Sequence, residues 1–177
     1  DYGRLAIDKL QKDNIDTSNI IISNNHKTGV AGIHVDRNTG KNAITVVRGA
    51  PSSLTTKEID VNLIKQSKIF LTQLEIPIEV TLYCLKAAKE FGLINILNPA
   101  PACELSGDFF KLIDYFTPNE SEAEFYTGVK INNENDAKVS AKKLLDMGIK
   151  KVIITLGEKG LFYSDGKEEI YLQASLD

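Results

Sequence analysis

The chain lacks most of what would mark several large protein classes. Its 177 residues hold two cysteines, Cys84 and Cys103, far apart in sequence and without metal-type spacing to either histidine, His26 or His34. A disulfide framework and a zinc site are therefore not expected, and two free thiols suit a reducing, cytoplasmic setting. No apolar run approaches the roughly 20 residues that span a bilayer. The opening Asp1-Tyr2-Gly3-Arg4 is charged and amphipathic, unlike a signal peptide. Basic charge is not in excess: 21 Lys and Arg stand against 24 Asp and Glu, for a net charge of −3. That balance offers no footprint for nucleic acid and no polybasic patch for a membrane. Neither a GxGxxG after an early strand nor a GxxxxGK[ST] loop is present, which argues against a Rossmann dinucleotide site and a P-loop. Internal repeats and low-complexity linkers are missing too.

What is present is ordinary for a globular protein: 42% hydrophobic and 25% charged residues. The length favours one domain, 1–177. Residues 1–12 read as a helix. Residues 20–48 are β-rich, with runs "NIIIS", "GVAGIHVD" and "NAITVVRG"; Asn38-Thr39-Gly40-Lys41 gives a hairpin signal. From residue 56 helices and strands alternate. "TKEIDVNLIKQS" is helical, with Ile59, Leu63 and Ile64 on one face, and "KIFLTQLE" is a short buried strand. "PIEVTLYCLKAAKEFG" is a helix starting near Pro77 and ending at Gly92, its apolar face formed by Val80, Tyr83, Cys84, Ala87, Ala88 and Phe91. Cys84 on that face reads as a small buried hydrophobe. "LINILN" is a strand, "FFKLID" a short helix or turn, and "YFT" a short strand. "ENDAKVSAKKLLDMG" is a helix with Gly148 past its end, and "KKVIITLG" is a fully buried strand by its unbroken apolar run. "GLFYSD" and "EEIYLQ" pair around Asp165-Gly166. Alternating elements predict a three-layer α/β/α fold with a mainly parallel central sheet and a small antiparallel ribbon.

In such sheets ligands bind beyond the carboxyl ends of the strands. Four segments there are polar and rich in glycine or proline: Glu75; Asn98-Pro99-Ala100-Pro101-Ala102; Pro118-Asn119-Glu120-Ser121-Glu122; and Leu156-Gly157-Glu158-Lys159-Gly160. Each has a plain structural reading. Asn119 with Glu122 three residues on fits a helix N-terminal capping box. Glu75 suits a solvated loop, "NPAPA" a rigid strand exit, and "LGEKG" a turn. The glycines of that turn would equally let backbone N–H groups approach phosphate oxygens. Their convergence on one edge favours a binding rim.

"QLE", "NPAPA", "TPNESEAEFYTG" and "VIITLGEKG", in this order and spacing, resemble the ribokinase branch of the PfkB carbohydrate kinase family. "KTGVAGIHVD" is similar to the family's lid segment and "GAPSSLT" to its continuation, with Pro51 where ribokinases show Asn. The resemblance runs nearly the whole chain and implies an ATP-dependent kinase for D-ribose, using Mg2+ and K+. The ribbon at about 20–48 would be a lid over the sugar and a homodimer surface. Ala31 and Ile33 would touch the sugar, and Glu75 would accept from its hydroxyls. Asn119 and Glu122 match the family's N-x-x-E motif, Asn119 on the nucleotide side and Glu122 on the metal side. Thr155, Leu156, Gly157, Glu158, Lys159 and Gly160 would line the nucleotide site. The family's early Gly-rich stretch, its sugar-binding Asp and its "DTTGAGD" segment, which carries the anion hole, the catalytic base and most of the K+ site, are not in these residues; Leu176-Asp177 would match that last segment over two positions. The expectation is a central portion of a ribokinase, with no catalytic base of its own and inactive alone. The alternatives are another PfkB sugar or nucleoside kinase, or a non-catalytic nucleotide- or sugar-binding remnant.

Overall fold

The structure is a computed structural model and describes residues 2–174; the reading of Leu176-Asp177 falls outside them. The chain divides after Leu54 into two compact units. In the first, helix α1 (Tyr2–Lys12) buries none of its side chains. Strands β1 (Val30–Val35) and β2 (Asn42–Val47) form an antiparallel ribbon, with Ala31 opposite Val46 and Ile33 opposite Ile44. Asp36 shapes the connecting turn: its Oδ1 accepts from the N–H groups of Asn38 (2.9 Å) and Thr39 (2.8 Å) and from the Thr39 hydroxyl (2.9 Å). Gly40 supplies the left-handed residue, at φ 68°. The strand predicted over "NIIIS" does not form; residues 20–23 are irregular. Three adjacent isoleucines favour extended backbone, but a strand also needs a neighbour for its N–H and C=O groups.

The second unit is built on a six-stranded sheet in the order β3 (Ile69–Thr72), β4 (Ile94–Leu97), β5 (Tyr115–Phe116), β6 (Lys151–Thr155), β7 (Leu161–Ser164), β8 (Glu169–Leu172). The first four strands are parallel, and β7 and β8 add as antiparallel hairpins. The helices are α2 (Val61–Lys65), α3 (Ile78–Glu90), α4 (Gly107–Phe110), α5 (Glu120–Thr127) and α6 (Glu134–Asp146). The stretch predicted as one helix from Thr56 breaks into a 3-10 turn at Thr56–Glu58 and the short α2, whose start is capped by Asp60 accepting from the Asn62 N–H. In α3 the buried stripe is Val80, Thr81, Cys84, Leu85 and Ala88, while Tyr83 and Phe91, expected inside, are exposed. Burial raises the pKa of the Cys84 thiol, as befits a packed hydrophobe.

Because consecutive strands step in one direction across the sheet, right-handed crossovers place their helices on one face. The burial pattern agrees. Leu97, Phe116, Val152, Ile154 and Phe162 face the helices and are buried with Leu85, Phe109, Ile113 and Leu144. The opposite face carries Ile69, Leu71, Ile94, Ile96, Ile153, Tyr163 and Leu172, and Leu71 is 69% exposed. β3, predicted as a short buried strand, and β6, predicted fully buried, therefore alternate: β6 buries Val152 and Ile154 but leaves Thr155 exposed. An unbroken apolar run reports what both faces can accept, while burial depends on what covers each face.

At the end of the sheet where β5 begins, Asp114 joins three elements. Its Oδ2 accepts the Asn95 N–H at 2.9 Å, and its Oδ1 lies 3.0 Å from Lys89 Nζ and 2.6 Å from Lys150 Nζ. Burial alone would raise the carboxyl pKa, but the Asn95 N–H and the two lysines outweigh it and hold it below the ordinary value. A depressed folded pKa adds stability above the ordinary aspartate range, and that contribution is lost as the pH falls through the folded value. Both lysines are partly exposed, so solvent screening trims the effect. Asp114→Asn is expected to cost about 1–2 kcal/mol at pH 7, with the difference from the parent shrinking steadily below the ordinary aspartate range. Urea titrations at pH 7 and in that acid range measure it; an equal cost at both would show that Asp114 acts by shape alone.

Candidate functional site

The parallel register carries four loops to one edge, and backbone hydrogen bonds tie each to the next. Beyond β3 and β4, Asn98 N–H donates to Thr72 O at 3.0 Å and Leu74 N–H to Ala100 O at 3.0 Å. Between β4 and β5, Thr117 N–H donates to Leu97 O at 3.0 Å. Between β5 and β6, Thr155 N–H donates to Pro118 O at 2.9 Å, and Asn119 and Thr155 form a parallel bridge. The loops thus continue the sheet for a residue or two before they diverge.

Along this rim the polar side chains differ in how far they are committed. Glu75 is exposed and makes no hydrogen bond or ion pair with the described residues. It follows the buried Leu74 and precedes Pro77, which opens α3. Asn119 and Glu122 form the capping box that their spacing predicts: Asn119 Oδ1 accepts the Glu122 N–H at 2.9 Å, and Glu122 Oε2 accepts the Asn119 N–H at 2.8 Å. Glu122 Oε1 has no partner among the described residues. Half of that carboxylate is structural and half is available.

The fourth loop is a 3-10 turn at Gly157–Lys159 between two glycines in the left-handed half of φ, Gly157 at 56° and Gly160 at 105°. The N–H groups of Lys159 and Gly160 are bonded within the turn, to Leu156 O and Gly157 O, both at 3.1 Å. At the start of any such turn the first N–H groups lack an internal acceptor and point outward. Leu156 is buried, while Thr155, Glu158 and Lys159 are exposed. The Lys159 ammonium donates to Asn132 O at 3.3 Å.

Sequence reasoning missed Tyr126. Its hydroxyl donates to Cys103 O at 3.0 Å and accepts from Cys103 N–H at 3.4 Å, pinning the end of the "NPAPAC" loop to the far end of α5. Burial pushes its pKa up to about 12, so it stays a neutral donor. Its ring meets Phe110 and Phe116 edge-on at 5.7 and 5.5 Å. No local spacing signals this bond, because its partner lies 23 residues away in sequence.

The edge thus offers free carboxylate oxygens at Glu75 and Glu122 and a glycine-bounded turn, on loops held by backbone bonds. No group of three or more His, Cys, Asp or Glu side chains that could cage a metal occurs among the described residues. No described helix is long and apolar enough to cross a membrane. The sequence pattern of the pfkB family carbohydrate kinases matches residues 1–175.

The chain belongs to the pfkB carbohydrate kinase family. It is 38% identical over 162 residues to the ribokinase of Staphylococcus aureus (strain COL), covering 90% of this chain and 53% of that protein. It is similar to the crystal structure of ribokinase from Thermotoga maritima, with a TM-score of 0.81 and 36% identity over 99% of this chain and 57% of that one. The structure of Arabidopsis thaliana ribokinase complexed with ribose and ATP aligns with a TM-score of 0.72 and 27% identity, covering 85% of this chain and 49% of that one. The chain spans about half the length of the ribokinases it matches. Within this pfkB kinase chain, Glu75, Asn119, Glu122 and Thr155 through Gly160 share the rim of the second unit. Ala31 and Ile33 lie in the first unit, on one face of the ribbon with Val35, Ile44 and Val46, and are exposed.

Proposed function

We propose that the protein carrying this chain is a ribokinase, transferring the terminal phosphoryl group of ATP to the 5-hydroxyl of D-ribose. The observation that carries this reading is the uneven commitment of the rim among the described residues: Glu75 without a hydrogen bond or ion pair at one end, and Glu122, with one unbonded oxygen, beside a glycine-bounded turn at the other. A sugar offers hydroxyl donors, which an unbonded carboxylate accepts. A nucleotide offers phosphate oxygens, which a carboxylate repels unless a cation lies between.

The donor set suits magnesium. Mg2+ keeps most of its waters and takes one or two carboxylates plus phosphate oxygens, so a single Glu122 Oε1 fits where a protein cage is absent. Such an ion would supply neutralisation of the phosphate charge. Asn119 and Glu122, fixed by their mutual backbone bonds, would orient that assembly, and Thr155, Leu156, Gly157, Glu158, Lys159 and Gly160 would line the polyphosphate. Phosphoryl transfer asks the protein for alignment and charge stabilisation rather than covalent chemistry. The ribbon, with Ala31 and Ile33 on its apolar face, would close on the sugar and meet a second copy of the chain. The sugar hydroxyl must lose a proton as it attacks phosphorus, and no residue of this rim is assigned as that base. K+ is expected to act outside these residues. The runner-up reading is another sugar or nucleoside kinase of the same family.

Three measurements on the proposal use the complete kinase unless stated. Glu122→Gln keeps the size and an amide oxygen able to accept the Asn119 N–H, so thermal stability should hold. Turnover should fall on the order of 10²-fold, the usual loss for one such electrostatic element. A near-normal rate at saturating magnesium would reduce Glu122 to a cap.

Glu75→Ala should weaken sugar affinity by about 1.5–3 kcal/mol, the worth of a hydrogen bond to a charged partner, with ATP affinity intact. Calorimetry with ribose, with its 2-deoxy analogue and with ATP separates the effects. Damage to ATP binding alone would invert the placement of the two half-sites.

The 177 residues by themselves are expected to release no ADP in the presence of ribose, ATP, magnesium and potassium, because hydroxyl activation needs a base within hydrogen-bond reach. Robust ribose-dependent turnover by this chain alone would mean that one of its own groups is the base.

A further inference from the structure

The turn at Gly157–Lys159 is held by more than its own hydrogen bonds. Tyr171, on β8, donates its hydroxyl to Lys159 O at 2.9 Å. Its ring packs against the core at the position opposite Phe162, so the oxygen is presented from a fixed base. Gly160 lies against the same strand end: a Cβ there would collide with the Leu172 carbonyl oxygen. Leu156 N–H closes the turn onto Gly160 O at 2.8 Å.

The two glycines bounding this turn make its conformation soft, since each reaches many backbone states at little cost. A peptide plane between two soft points can rotate. The carbonyl of Lys159 and the N–H of Gly160 belong to one planar unit whose N–H closes the turn on Gly157 O at 3.1 Å, so holding the oxygen also holds that closure and, with it, the N–H groups of Gly157 and Glu158 at the start of the turn. Tyr171 bonds that oxygen. The only other side-chain anchor to the turn among the described residues is Lys159 Nζ on Asn132 O, at 3.3 Å on a long exposed chain, and it leaves the peptide planes free.

Resting on the ribokinase reading, we propose that Tyr171 is a positioning residue: through the Lys159 carbonyl it keeps the turn's backbone donors in the one orientation that receives the nucleotide phosphates. It touches no substrate itself. Tyr171→Phe keeps the ring and its packing and removes only the hydroxyl.

The test is steady-state kinetics of the complete kinase with Tyr171→Phe and, separately, Lys159→Glu, which brings a negative charge onto the turn. Tyr171→Phe is expected to raise KM for ATP about fivefold, the size of one neutral hydrogen bond, with KM for ribose unmoved and kcat affected less than KM. Lys159→Glu should raise KM for ATP further. If Lys159→Glu raises it and Tyr171→Phe does not, the positioning role falls while the placement of the nucleotide stands. If neither moves it, the nucleotide does not meet this turn and both ideas fall together. An equal rise in both KM values, or a loss confined to kcat, would mark a general structural role and overturn the proposal.

Discussion

Each parallel pairing from β3 to β6 runs one step further, into a backbone hydrogen bond between a loop and the end of the neighbouring strand: Asn98 to Thr72, Thr117 to Leu97, Thr155 to Pro118. These bonds are what turn four separate exits into one edge. The strands alone would set the loops side by side at roughly the 4.8 Å interstrand spacing, but a loop free beyond its last strand residue would not hold a side chain in register with its neighbour. By bridging to Thr155, Asn119 puts the start of α5 against the exit of β6. The capping box and the glycine turn are neighbours for that reason.

The opposite edge is organised by charge instead. Asp114 gathers an N–H from β4, a lysine from α3 and a lysine from the segment before β6. Its neighbour Asn95 is buried and donates to Leu85 O and Leu112 O, both at 2.9 Å, while its own Oδ1 finds no partner among the described residues. An orphaned buried acceptor is costly, so this asparagine is kept for the two carbonyls it satisfies between α3 and β5. The rim carries free carboxylates while this end consumes its polar groups internally, so the sheet has a chemical polarity along its strands as well as a directional one.

Much of this was legible in the sequence where the determinant is local. Asn119 and Glu122 are three residues apart because a capping box requires that spacing, and the structure forms both bonds. Gly148, with φ 109°, ends α6 as its position predicts. The alternation of elements predicts the parallel sheet and the edge at which its loops gather. What failed depended on distant chain. The isoleucines of "NIIIS" have the propensity for a strand but no partner. β3 and β6 look the same in sequence whether one face or two are covered. Tyr83 and Phe91 fit the apolar stripe of α3 by period, yet Leu85 occupies the core. Tyr126 and Tyr171 are the instructive omissions: each acts through a hydroxyl on a backbone carbonyl, at Cys103 and Lys159, and no spacing rule connects residues 23 or 12 positions apart.

Those two tyrosines sharpen the difference between a group that binds and a group that holds. Among the described residues Glu75 and Glu122 Oε1 are unbonded and keep valence to spare. The neighbouring loops, after β4 and after β6, are closed by phenols whose rings are fixed by packing and whose oxygens are used on backbone. A tyrosine suits the second task because burial keeps it neutral, as the raised pKa of Tyr126 shows, and because two torsions suffice to place its oxygen. A carboxylate in the same place would face a carbonyl with no proton to give. The division between acidic side chains at the mouth of the rim and phenols behind it therefore follows from hydrogen-bond chemistry: uncommitted acceptors outward, neutral donors inward for peptide oxygens.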